Sequence, residues 1–131
     1  MAESPNEALV KKGYQAFSAG DMDTLRLIMT PDVVHSVPGK SQVSGEYKGI
    51  DNVLAHYGQL FELSGGTLNV DLKSVKAEGN DKVVSVHNSA AKREGTSFEE
   101  DETLHFTIAG GKISRLDESH ADPAGFDNFW G

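Results

Sequence analysis

The stretch "TLNVDLKSVKAEGNDKVVSVHNSAAKREGTSFEEDETLHFTIAGGKISRLDESH", residues 67–120, decides the fold, because the hydrophobic period changes there from helical to alternating. The alternation predicts four strands in succession, at 67–78, 82–94, 99–109 and 112–120. "EGND", "REGTS" and "AGGK" separate them, each short enough for an antiparallel hairpin. Alternation also sorts side chains by face. Leu104, Phe106 and Ile108 read as a core face, which sends His105 outside. On the last strand Arg115, Asp117 and Ser119 share one face, and Ser114, Leu116 and Glu118 share the other. The facing of His87 depends on register, which one bulge reverses. The acidic run "FEEDET", residues 98–103, lacks the spacing of a calcium loop and reads as a solvated hairpin start.

Upstream of this meander the pattern is helical. Ser4, Pro5 and Glu7 form a capping box with proline in the first turn, followed by Val10, Tyr14 and Phe17 at helical spacing until Gly20. Asp21 caps a second helix with a Leu25, Ile28 and Met29 stripe, which Thr30-Pro31 is expected to end. "DVVHSVPG", residues 32–39, then reads as a short strand, and a Gly- and Ser-rich loop follows to Gly49. Asp51 opens a third helix with Val53, Leu54, Tyr57, Leu60 and Phe61 on one face, stopped by Gly65-Gly66. The aromatic tail "FDNFW" is expected to fold back on the domain or on a partner subunit. The sum is a single α+β domain over residues 1–131, with helices packed on one face of a curved sheet.

Twenty acidic residues against twelve basic ones give a net charge of -8, which repels nucleic acid and anionic membranes. The chain has no cysteine, so disulfides and thiol chemistry are excluded. The start "MAESPNEALVKKGY" lacks the pattern of a signal peptide, and no apolar run approaches the roughly 20 residues of a membrane span. These features point to a cytoplasmic protein. The five histidines include no HxH or HExxH pair, so no metal site is expected.

The runs "YQAFSAGDMDTLRLIMTPDVVHSVPG", "SGEYKGIDNVLAHYGQL", "GGTLNVDLKSV", "GGKISRLDE" and "DNFW" together resemble the SnoaL-like branch of the NTF2-like superfamily. That branch includes ketosteroid isomerases, small polyketide cyclases and limonene-epoxide-type hydrolases. The resemblance implies a cone, with three N-terminal helices on a strongly curved, mixed but mainly antiparallel sheet that encloses a cavity. It also implies a homodimer through the outer sheet face. One frame hosts many activities, so the site must argue the function.

Residue by residue, the isomerase machinery is missing. The position of the isomerases' catalytic aspartate is Val37, that of their oxyanion-hole tyrosine is Gly13, and their protonated aspartate falls near Thr103 or Leu104. His35 is retained from the histidine found in similar proteins, and stands two residues before Val37 on the same face. It is either a structural histidine or a pocket residue. Cyclases of this type use a last-strand aspartate, and epoxide hydrolases use an Asp-Arg-Asp set; Asp117 with Arg115 resembles both. The second aspartate of the epoxide set has no counterpart that can be placed.

The expected catalytic set is therefore Asp117 as general acid or base, His35 as its counterpart and Arg115 as the group that aligns Asp117. Tyr14, Phe17, Val37, Tyr57, Phe61, His87, Leu104, Phe106 and His120 are expected to line the substrate cavity. The expected chemistry is cofactor-independent isomerisation, cyclisation, dehydration or epoxide-type hydrolysis of an apolar small molecule. The alternative is a non-catalytic dimer that binds a small ligand or serves as a scaffold.

Overall fold

The computed structural model describes residues 3–131, so the amino-terminal reading from Met1 begins outside the described residues. The elements are α1 (Pro5–Ala19), α2 (Met22–Ile28), β1 (Met29–Val37), β2 (Gly45–Lys48), α3 (Ile50–Leu63), β3 (Asn69–Glu78), β4 (Lys82–Arg93), β5 (Thr96–Ala109), β6 (Lys112–His120) and α4 (Pro123–Trp130). The strands form one sheet in the order β2-β1-β6-β5-β4-β3. β1 and β6 run parallel and all other neighbours antiparallel, which is the mixed, mainly antiparallel α+β architecture expected.

The helix signals act as read. Ser4 Oγ accepts from the Glu7 amide and Glu7 Oε1 accepts from the Ser4 amide, so two orphan donors of α1 are satisfied at once. Glu7 Oε2 also accepts from the Ala77 amide at 2.9 Å, which fastens this cap to β3. Gly20, at φ 68°, closes α1, and the Asp21 side chain caps α2.

Three local expectations change, and the tail gains a definite form. α2 ends at Ile28, so Thr30-Pro31 lies inside β1 instead of terminating a helix. The β1–β6 register shifts between Met29 and Val34, and Pro31, which has no N–H to donate, occupies that irregular stretch at no cost in ladder bonds. The Gly- and Ser-rich segment contains β2, a four-residue strand paired to β1 with Tyr47 opposite His35. β5 begins at Thr96, three residues before the expected start. The tail forms a fourth helix, capped by Asp122 with Pro123 in its first turn, and folds back on its own domain.

Two apolar clusters hold the layers. Val10 of α1, Leu25 and Ile28 of α2 and Val53 of α3 pack on Leu104 and Ile113 of the sheet. Phe126, Phe129 and Trp130 of α4 pack on Val37, Val43 and Ala91, closing one end of the cone. Each fully buried side chain of this size contributes about 1.5–3 kcal/mol. Among the described residues no helix is long and apolar enough to cross a membrane.

Candidate active site

Strand register decides which polar side chains enter the cone, since directly paired residues share a face. His87 of β4 pairs with Glu102 of β5, and Glu102 pairs with His120 of β6. In the next inward row Ser85 pairs with Leu104, and Leu104 with Glu118. His35 of β1 pairs with Leu116 of β6 and so joins the same face. Tyr14 of α1 and Tyr57 of α3 bring hydroxyls to this surface from the helical layer.

The result is a run of polar contacts across the inner face. Tyr14 Oη lies 2.7 Å from Ser85 Oγ and 2.6 Å from His87 Nδ1. His87 Nε2 lies 2.9 Å from Glu102 Oε1, and Glu102 Oε2 lies 3.2 Å from His120 Nδ1. On the other side of His120, Nε2 approaches Glu118 Oε2 to 2.9 Å, off the line of a well-formed hydrogen bond. Glu118 Oε1 meets His35 Nε2 at 2.9 Å, and His35 Nδ1 meets Tyr57 Oη at 2.8 Å. Two Tyr-His-Glu arms thus converge on one histidine. Glu100 branches from the junction, with Oε2 at 2.7 Å from His120 Nδ1 and Oε1 accepting from the Asp122 amide.

Electrostatics sets the proton positions. Burial disfavours charge on His120, but hydrogen bonds to Glu100, Glu102 and Glu118 and the charge of Glu118 outweigh it, raising His120 to about 11. His120 is therefore an imidazolium at neutral pH. Burial pushes Glu118 up, and hydrogen bonds and charge from His120 and His35 more than reverse it, leaving Glu118 below the usual carboxylate range. Glu102 is lowered in the same way: burial and the charge of Glu118 oppose ionisation, and bonds from His120 and His87 prevail. Glu100 moves up, through burial and its neighbour Glu102. Ionised carboxylates only accept, so Nε2 of His35 and of His87 carries the proton facing Glu118 and Glu102. Nδ1 of each ring faces a tyrosine hydroxyl, Tyr57 for His35 and Tyr14 for His87. Burial raises both Tyr14 and Tyr57 above the usual phenol range, which keeps them as donors.

This chain borders an otherwise apolar cavity of about 90 Å³. Of the expected lining, Tyr14, Phe17, His35, Val37, Tyr57, His87, Leu104 and Phe106 are there. Phe61 is not; its ring packs on Phe17 with centroids 5.0 Å apart. His120 lies behind the wall as the junction, with a side chain only 1% exposed. Asp117 and Arg115 do not join His35. They sit on the opposite face of β6 from Leu116 and Glu118, half exposed, with Arg115 Nε donating to Asp117 at 3.0 Å. The acidic run is likewise not solvated throughout: Glu100 and Glu102 share the parity of Leu104 and point inward, 5% and 7% exposed. His105 is exposed, as its parity predicts.

Glu102, Glu118 and His56, with Ser85 and Glu100 beside them, enter without having been foreseen. The parity of Leu104 and Leu116 is the sequence signal that marks the glutamates. His56 of α3 stacks on Tyr47, ring centroids 4.0 Å apart. Burial, then the proximity of His35, hold it down to about 3, so its ring is neutral. Glu100, Glu102 and His120 each offer one ligand atom, all within 4.8 Å of one another. A metal ion there has to displace the proton that His120 holds tightly.

The model of the SnoaL-like domain matches residues 10–116. An uncharacterised protein of Mycobacterium tuberculosis is 36% identical over 130 residues, 99% of each chain. Among solved structures, Bal32a from a soil-derived mobile gene cassette superposes with a TM-score of 0.95 at 28% identity, covering 97% of both chains. A protein of unknown function with a cystatin-like fold from Xanthomonas campestris gives 0.88 at 30% identity, covering 95% of this chain and 96% of that one. A match of that extent, on a curved sheet whose inner face carries the cavity, makes the chain a member of the SnoaL-like domain family with the NTF2-like fold.

Proposed function

We propose that the protein is a small-molecule enzyme that performs acid/base chemistry on a mostly apolar substrate within the cone. The observation that carries this reading is the pair of Tyr-His-Glu arms on the wall of an apolar cavity. Each tyrosine is a protonated donor placed to stabilise negative charge developing on a substrate oxygen. In one arm the tyrosine oxygen takes the substrate's proton as its own O–H proton passes to the imidazole behind it, and the carboxylate steadies the imidazolium that forms; in the other arm the tyrosine gives its O–H proton to the substrate oxygen. With two arms, one can accept a proton while the other supplies one. Isomerisation, cyclisation, dehydration and epoxide-type opening all require that exchange, and this chain supplies the groups for it.

In this reading Glu118 takes the place that sequence reasoning gave to Asp117, and Arg115 has no part. The homodimer through the outer sheet face and the cytoplasmic setting remain part of the proposal. That outer face presents half-buried Val84 and Val86 beside Thr103 and His105.

The test is exchange and turnover on a panel of enolisable cyclic ketones and epoxides. Tyr57→Phe and Glu118→Gln are expected to lower any wild-type rate by about 10²–10⁴-fold, the usual worth of positioned proton transfer. Unchanged rates in both variants, with circular dichroism showing an intact fold, would rule the assignment out.

A further inference from the structure

His56 belongs to the cavity wall but to neither proton-transfer arm. It is 3% exposed, stands edge-on to His35 with ring centroids 5.6 Å apart, and directly precedes Tyr57 on α3. Its Nδ1 is buried with no hydrogen-bond partner among the described residues. A buried nitrogen left unpaired is costly, and native interiors pair such groups with protein, water or ligand. The ring is neutral, so it brings no charge to pair with an anion, and Nδ1 suits a hydroxyl or carbonyl oxygen. The Tyr47 stack fixes the ring plane, with Tyr47 Oη itself tied to the Val43 carbonyl at 2.7 Å. A partnerless nitrogen on a ring held this firmly is a preorganised hydrogen-bonding group.

We propose that His56 anchors a second oxygen of the ligand. The cavity then takes a compact, mostly apolar molecule with two oxygen functions, one against the Tyr57–His35 pair and one bonded to His56 Nδ1. This rests on the reading of the cavity as a substrate site, and it narrows the substrate to hydroxy-carbonyl or similarly dioxygenated compounds. His56 is a positioning residue; the proton-transfer chain is complete without it.

The test needs no substrate and no turnover. Phenol and toluene are close in shape and differ by a hydroxyl against a methyl, so the ratio of their affinities reports the hydrogen bond. Both are measured by titration calorimetry or ligand-observed NMR on wild type, His56→Phe, His56→Asn and Tyr57→Phe. Phenylalanine keeps the stack on Tyr47 and removes the nitrogen; asparagine keeps a polar atom near the Nδ1 position.

The ratio is expected to shift against phenol by at least about fivefold in His56→Phe, a typical net hydrogen bond. His56→Asn should recover most of it. In wild type the ring ¹⁵N resonance of His56 Nδ1 should move with phenol and stay with toluene. This readout holds even where a variant folds poorly. The proposal is overturned by a ratio unchanged in His56→Phe or lost only in Tyr57→Phe. An Nδ1 resonance indifferent to phenol, the result for a nitrogen paired by water alone, also overturns it, as does failure of both probes to bind. The acid/base reading fails on different data, because rates unaffected by Glu118→Gln leave this affinity ratio as it is.

Discussion

Replacing His120 by glutamine tests the electrostatic logic of the whole site. His120 stands within 2.7–3.2 Å of carboxylate oxygens from Glu100, Glu102 and Glu118, and the four side chains are 1–10% exposed. A unit charge pair at about 4 Å is worth about 4 kcal/mol at an effective dielectric near 20, and the desolvation of the partners takes back much of the sum. Removing only the cation leaves that desolvation uncompensated, so His120→Gln should cost about 3–5 kcal/mol at pH 7, on the order of 10–20 °C in Tm.

The pH dependence follows from the shifts. His120 is raised from 6.5 to about 11, so its contribution is complete below about 6.5 and is lost as pH rises through about 11. Glu102 and Glu118 are lowered from 4.5, so theirs is present above that value and lost as pH falls further. The wild type should therefore level off below about pH 6.5. In the variant the crowded carboxylates repel, so it should keep gaining stability as pH falls towards 5 and one of them takes a proton. Adding Glu100→Gln to His120→Gln should restore at least about 1 kcal/mol. Urea unfolding with matched m-values is the assay. A loss under about 1 kcal/mol for His120→Gln, or no recovery in the double variant, refutes the imidazolium junction.

Asp117→Asn and Arg115→Ala should each change stability by no more than about 0.5 kcal/mol and leave turnover intact, because the pair is half exposed and faces away from the cavity. Lost activity in either variant would return the last-strand aspartate to the mechanism. Gly39 holds φ at 111°, and a Cβ there presses on the Asp127 carboxylate that accepts from the Lys40 amide. Gly39→Ala should cost about 1–3 kcal/mol, readable by chemical unfolding; a neutral substitution would mean that the α4 contact is not rigid.

The parts legible in sequence were those with local causes. The α1 capping box, the Gly20 stop and the alternating run after Thr67 each specify structure locally, and each element starts within three residues of its signal. β2 was not legible because a four-residue edge strand has too few positions to show a period. Thr30-Pro31 misled because proline's usual meaning yields to a register shift that only pairing with β6 reveals.

The candidate site shows the difference within single strands. Parity on β5 correctly sends His105 outside, and the same parity, carried two and four residues back from Leu104, brings Glu102 and Glu100 inside. The charged composition of "FEEDET" outweighed the periodicity in that reading. On β6 the choice between Asp117 and Glu118 was a choice between faces, and Leu116, as the apolar neighbour, identifies Glu118's face as the inner one. What no spacing could supply is the partner of each glutamate, since His120, His87 and His35 reach them only through cross-strand pairing and the parallel β1–β6 contact.

The burial of three carboxylates is itself an argument about function. Replacing a buried ionic group by well-packed apolar residues is often neutral or stabilising by about 1–4 kcal/mol. A cone with leucines at 100, 102, 118 and 120 would, on that ground, hold together at least as well, because the apolar clusters around it already join helices to sheet. Stability therefore does not explain why this inner face carries acid, base and hydroxyl in alternation. The network also extends past any structural need: Tyr14 and Tyr57 stand at the ends of the arms, each on the cavity wall and each bonded to an imidazole instead of a backbone carbonyl. A purely structural tyrosine needs only one backbone acceptor. Tyr57 backed by His35 and Glu118, beside the partnerless nitrogen of His56, is an arrangement that stability leaves unexplained and that bound substrate oxygens would complete.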